Sequence, residues 1–133
     1  MENSTRKMPA VALRGMTILP GMITHFDVSR SRSVKAVERA VAEGQPLFVV
    51  TQRDPEMENP EQDDVFAVGI ISEVKQIVKM PHNIMRVLVE GVDRAGLLEL
   101  SGEEYLEAEN AFCKIIRQIN WDLIENLDVE MVL

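Results

Sequence analysis

Two spacings of apolar residues alternate along this chain, and each marks a kind of element. AVALRG (10–15) and MTIL (16–19) fit two short strands or one bent strand, Pro20-Gly21 signals a turn, and MITHFDV (22–28) is extended again. SRSVKAVERAVAEG (31–44) changes to a helical period. Val34, Val37 and Val41 recur on one face, Ser31 or Ser33 can cap the start, and Gly44 fits the left-handed position just past the end. PLFVVT (46–51) is apolar without interruption, as expected of a strand with no wet face. VFAVGIISEVKQIV (65–78) splits into two alternating sets, Val68/Ile70/Val74/Val78 and Ile71/Glu73/Lys75/Ile77, one core and one mixed, with Gly69 as a bulge or bend. KMPHN (79–83) turns the chain into IMRVLVE (84–90), the best hairpin in the sequence. AGLLEL (95–100) and YLEAENAFCKIIRQI (105–119) add one or two strands.

The ends differ from this body. Residues 1–8 are polar and are expected to be a disordered tail. From Asn120 onward, Trp121, Ile124, Leu127 and Met131 fall at helical spacing, and no stop signal precedes Leu133. The expected organisation is a tail (1–8), a β-rich domain (9–119) and the start of a helical subdomain (120–133) that continues past the last residue.

Composition narrows the function. At 133 residues and 46% hydrophobic, the chain can bury its own core without a disulfide or metal staple. The net charge of −8 is uneven: residues 1–53 carry eight Lys/Arg against four Asp/Glu, and residues 54–133 carry six against eighteen. An acidic chain repels phosphate backbones, so general nucleic-acid binding is disfavoured; the cluster Arg30, Arg32, Lys35 and Arg39 is its only support. One cysteine, Cys113, closes no intramolecular disulfide and fits a reducing, cytoplasmic compartment. Arg14 interrupts the first apolar stretch, so no signal peptide is read, and no apolar run approaches a membrane span.

Candidate chemistry is thin. Asp54 to Asp64 holds six carboxylates in eleven residues, but lacks the glycine and ligand spacing of a calcium loop, so a solvated connection is expected and no metal. Gly91 and Gly96 have the gap of a phosphate loop, but Leu97 and Leu98 stand where lysine and a hydroxyl residue are needed. Ser72 and Lys75 spell the S-x-x-K of some serine hydrolases, but an odd offset in a strand sends the two side chains to opposite faces. His25 and His82 lack local partners for nucleophilic catalysis.

The stretches VALRGMTILPGM, VSRSRSVKAVERA, LFVVTQRD, DDVFAVGIISEVKQ and RVLVEGVDRA, in this order and spacing, resemble the amino-terminal domain of the ATP-dependent Lon protease family over roughly residues 9–110. Leu13-Arg14, Leu19 to Met22, Arg30, Arg32 and Ser33, Phe48, Thr51, Gln52 and Asp54, Val68-Gly69, Gln76, Val87 to Gly91 and Arg94 carry the match. Ala12 departs from a common proline. His82-Asn83 depart from a common Asp-Gly, which leaves the hairpin's turn type open.

The resemblance implies a mainly β, α+β fold: a twisted, partly closed sheet (a pseudo-barrel similar to the pseudouridine-synthase-associated module) with one helix packed on it. It implies a non-catalytic domain that engages unfolded or damaged protein substrates and assists assembly of a homo-oligomer, a hexamer in the family. No cofactor is expected in this chain; ATP and magnesium belong to a downstream module, as does a serine–lysine protease site. Leu19, Pro20, Met22, Met80, Pro81 and Met85 are the candidate substrate contacts, since adaptable apolar side chains at strand ends suit recognition without strict sequence preference. The alternatives are a nucleic-acid-binding module of the related barrel type and a free-standing protein-binding adaptor.

Overall fold

The computed structural model describes residues 5–112. Six strands and one helix follow in the order β1 (Thr5–Leu13), β2 (Ile23–Val28), α1 (Ser31–Glu43), β3 (Leu47–Thr51), β4 (Val68–Met80), β5 (Ile84–Ser101) and β6 (Glu107–Phe112), with a short 3-10 turn at Gln62–Asp64. The sheet order is β2-β5-β4-β3-β1-β6, and β6 also pairs with β5. The ring β1-β3-β4-β5-β6 therefore closes on itself, while β2 hangs on one side of β5 outside it. Only β1 and β3 run parallel, and the crossover between them carries β2 and α1. The mainly β, partly closed sheet with one helix is as expected.

Closure is possible because β5 is long. Its first half pairs with β2 on one side and β4 on the other, and its second half exchanges β2 for β6. IMRVLVE and AGLLEL are thus two halves of one strand. Two register shifts bend the β4–β5 ribbon, with Val92 extra on β5 and Lys75 extra on β4. Each shift reverses which side chains face inward. On β4, Ile70 faces the helix-side cluster and Ile71 the ring interior, so both are buried, while Val68 at the start of the strand and Val78 beyond the Lys75 shift are 44% and 41% exposed.

β1 and β3 are covered on both faces. Val11, Leu13, Leu47 and Val49 face α1 and the inner side of β2; Met8, Ala10, Ala12, Phe48 and Val50 fill the ring interior with Val65, Ile71 and Ala95. This explains the uninterrupted apolar run of β3. Gly69 is explained by contact: a Cβ there would lie 2.5 Å from Cζ of Phe48.

The helix ends as its sequence indicates, with Gly44 left-handed at φ 64° and its N–H bonded to Val41. Its start differs, and its face differs in part. Arg30 occupies the N-cap without a side-chain capping bond, so neither Ser31 nor Ser33 caps. The buried face is Ser33, Ala36, Val37 and Ala40, while Val41 is 51% exposed. Small side chains predominate beside Val37 on this face and let the helix axis approach β1 closely, with Val34 packed at the margin.

Two expectations at the amino terminus change. β1 begins at Thr5, so residues 5–8 belong to the sheet, paired with β6, and not to a tail. MTIL (16–19) is not a strand. Residues 113–133, including Cys113 and the expected helix, lie outside the described residues, as do residues 1–4. In the β4–β5 turn, His82 and Asn83 both take positive φ, 66° and 60°, a conformation that Asn and His tolerate better than most side chains.

Gly91 sits where β5 passes under the 14–22 segment, and a Cβ there would collide with the carbonyl of Leu19 and press on Ile18. Gly91→Ala is expected to cost roughly 2 kcal/mol or more, because backbone must move to accommodate it. Urea denaturation monitored by circular dichroism measures this. An unchanged midpoint would show that the segment yields freely.

Candidate functional site

The polar centre of the molecule lies where β1, β3 and the start of α1 meet. Gln52, 2% exposed, follows β3 and accepts at Oε1 from Nη2 of Arg30 at 3.0 Å. Its Nε2 donates to the carbonyls of Asp54 and Met57, at 3.1 and 2.8 Å. Arg30 further donates to the carbonyls of Ala12, at 2.9 Å, and Glu58, at 2.6 Å. These two side chains thus hold one wall of the acidic connection from inside. Gln62 holds its other end, donating to the carbonyl of Leu98 and accepting from the N–H of Leu100. Asp54, Glu56, Glu58, Glu61 and Asp63 remain exposed. The carboxylates are solvated, as expected of a connection, but the backbone that carries them is pinned.

Arg30 is held at some electrostatic cost. Partial burial, with the charges of Arg14 and Arg32, pushes its guanidinium below the usual value, and Glu58 offsets this only in part. Among the described residues, no carboxylate forms an ion pair with Arg14, Arg30 or Arg32. On the β2–β5 ribbon the situation is opposite. Asp27 accepts two bonds from Arg86, at 2.9 and 3.1 Å, and that hydrogen bonding holds its carboxyl below the ordinary range.

The six residues picked as substrate contacts do not form one patch. Leu19 and Met22 are exposed (52% and 37%) beside Pro20 in the β1–β2 connection, where Gly21 and Met22 bond to Gly91. Met80 and Pro81 sit at the β4–β5 turn, beyond the opposite end of β2. The two groups are separated by the length of β2, roughly 20 Å for six residues. Met85 is 4% exposed and belongs to the core beside Val28 and Val87, so it is not available as a surface contact. It points inward because it lies on the same side of β5 as Val87 and Val89.

The Leu19 end is the larger apolar surface. Ile23, 63% exposed, begins β2 there, and Leu19 and Val68 line a small cavity with Arg94. Sequence reasoning left out Ile23 and Val68 because both were read as ordinary strand positions.

The dismissed motifs sit in unpromising places. Ser72 is fully buried and its hydroxyl reaches only the carbonyl of Ile70, at 3.4 Å, while Lys75 is bound to Glu73 and Glu90 at the surface. Gly91 lies within a strand. Among the described residues no group of three His, Cys, Asp or Glu side chains converges as a metal site, and no helix there is long and apolar enough to cross a membrane.

Gln52→Leu leaves the carbonyls of Asp54 and Met57 without their donor, and is expected to cost about 2–3 kcal/mol and to speed amide exchange across 54–64; hydrogen-exchange mass spectrometry reads both. Arg30→Lys in the otherwise natural chain should lower protection over the same segment, since one ammonium cannot reproduce the fork. Removing Arg86 (Arg86→Met) is expected to raise the Asp27 carboxyl towards its ordinary value in a carbon-detected NMR titration. The depressed native value makes the pair's contribution present above the unfolded carboxyl value, and lost as pH falls through the folded one, below about pH 4. High salt should shrink the difference.

Comparison with known proteins places this geometry. The chain matches the profile of the ATP-dependent protease La (LON) substrate-binding domain over residues 7–129. It is 48% identical over 110 residues to the Lon protease of Lachnoclostridium phytofermentans, covering 82% of this chain and 14% of that protein. It is 38% identical over 103 residues to Lon protease 1 of Bacillus subtilis, covering 77% and 13%. The chain therefore spans only about a seventh of these relatives. Its fold resembles the N-terminal domain of Mycobacterium avium complex Lon protease (TM-score 0.64, 16% identity, 91% of this chain and 74% of that one). It also resembles the Lon N-terminal domain protein of Xanthomonas campestris (TM-score 0.62, 14% identity, 80% and 59%). By sequence, this chain belongs to the Lon substrate-binding domain family.

Proposed function

We propose that this chain is the non-catalytic substrate-engaging domain of an ATP-dependent Lon-type serine protease, and that it binds unfolded or damaged polypeptides. The family match over residues 7–129 carries this reading. The exposed apolar rim of Leu19, Met22 and Ile23 supports it, since contact with exposed apolar segments is what recognition of damaged protein requires. Bond cleavage, ATP and magnesium then belong to modules outside this chain, which works in the cytoplasm. A single domain of this kind binds weakly. Assembly of the parent protein into a homo-oligomer, a hexamer in this reading, multiplies weak contacts by raising the local concentration of domains around one substrate.

The nucleic-acid alternative loses ground on geometry. Arg30 is turned inward on three acceptors and Arg39 is paired with Glu43 at 2.6 Å, which leaves little of the basic cluster for a phosphate backbone.

The isolated chain should bind a permanently unfolded, reduced and alkylated protein with micromolar-to-millimolar affinity and should hydrolyse neither peptide nor ATP. The paired change Leu19→Ser with Met22→Ser should weaken binding about tenfold without altering stability. Met85→Ala should instead lower the melting temperature, as a core truncation does. Isothermal titration and calorimetry measure the two effects. Undiminished binding by the double variant would remove the rim from the site.

A further inference from the structure

The side of β2 away from β5 is an open sheet edge. β2 stands at the end of the strand order, and among the described residues nothing pairs with its outer side. The carbonyl of Met22 bonds to Gly91, so Thr24, Phe26 and Val28 also direct their backbone groups towards β5, and Ile23, His25 and Asp27 direct theirs outward. This edge borders a groove of about 410 Å³ between β2, the end of β1 and the start of α1. Leu13, Met16 and Phe26 give it an apolar floor, and Arg14, His25 and Arg30 line its side. Among the described residues neither guanidinium has a carboxylate partner, and Asp27, the acid in the groove, is already bound to Arg86. On a chain of net charge −8 this is a local basic surface.

We propose that the β2 edge binds an extended polypeptide segment as an added strand, with preference for segments that alternate apolar and acidic side chains. The proposal rests on the substrate-engaging reading and specifies its site. Backbone pairing suits that task because every unfolded chain offers the same N–H and C=O groups whatever its sequence. Side chains on one face of the guest would meet the apolar floor. Carboxylates would meet the exposed Arg14, which supplies the charge selectivity, while Arg30, held by its own acceptors, adds only the field of its uncancelled charge. A substrate could then pair along β2 and run on to the apolar rim, since Ile23 belongs to both.

The test is an NMR titration of the isotopically labelled full chain with blocked decapeptides. Alternating Val-Glu is expected to shift the amides of His25 and Asp27 and to bind at least tenfold more tightly than alternating Val-Lys. The Val-Glu peptide N-methylated at every second residue should lose at least tenfold in one of its two registers and little in the other. Arg14→Glu, an exposed change, should reverse the charge preference. Equal affinity of both N-methylated registers and their parent would overturn strand addition. So would shifts confined to Leu19 and Met22, with the substrate-engaging reading still standing. If neither the peptides nor a reduced, alkylated unfolded protein moves any amide, both the proposal and that reading fall. Edge-to-edge pairing of two copies, seen as concentration-dependent shifts at His25 without peptide and a dimer in sedimentation, would also overturn it.

Discussion

β3 has water on neither side, and the rest of the molecule is arranged around that fact. Its five residues send Leu47 and Val49 towards the helix and Phe48 and Val50 into the ring. Fully burying a phenylalanine such as Phe48 contributes about 1.5–3 kcal/mol. That gain requires a closed ring on one face and a covering helix on the other. β1, its parallel neighbour, is subject to the same demand and alternates in the same way. Closure in turn requires β5 to serve two different neighbours along its length, and the register shifts give the β4–β5 ribbon the bend that this takes.

The polar counterpart is the pair formed by Arg30 and Gln52. A parallel β1–β3 pair needs a long crossover, and this one returns through α1. Arg30 starts that helix, and Gln52 ends the strand it leads to. Their hydrogen bonds therefore tie the crossover's helix to the strand it serves and to the backbone of the acidic connection at once. A guanidinium serves here because it offers several donors in one plane, where the acceptors are carbonyls on separate segments. The strand edge at β2 and the basic groove beside it follow from the same arrangement. Arg30 is fixed by carbonyl oxygens, which satisfy its donors without cancelling its charge.

The sequence made the elements legible wherever local chemistry alone decides them. Gly44 ends the helix, Pro81 to Asn83 turn the hairpin, and the apolar run at 47–50 reports double burial. The ordered set of stretches made the family legible as well. What was hidden depends on contacts between distant segments. The valines mark the helix face only in part: Val37 is buried and Val34 packs at its margin, but Val41 is exposed, because Ala36 and Ala40 turn inward where β1 comes close. Val78 fits a core position only if alternation runs unbroken, and the extra residue at Lys75 breaks it with no residue type to announce it; Val68 shares the side of Ile70 but stands at the exposed start of the strand. Gly69 looked like a bend and proves to be space for a ring twenty-one positions earlier in the chain.

The candidate site shows the same division. Methionine and proline near turns were a fair guide to exposure at Leu19, Pro20 and Met22, whose side chains stay exposed while the backbone of the connection lies against β5. Met85 failed because a residue next to a turn can still lie on the inward side of its strand. The grouping failed because residues at two turns need not be neighbours when a strand's length separates them. A basic groove beside an open edge has no signature in a single stretch of sequence. Arg14 and Arg30 come from different segments, and His25 shares no motif with either. They meet because β2 is left outside the ring, and the acidic total of the chain gives no hint of them. Closing the ring without β2 therefore separates two roles in that strand: Phe26 and Val28 cover the core from one face, while its outer edge stays unpaired among the described residues, as the proposed strand addition requires.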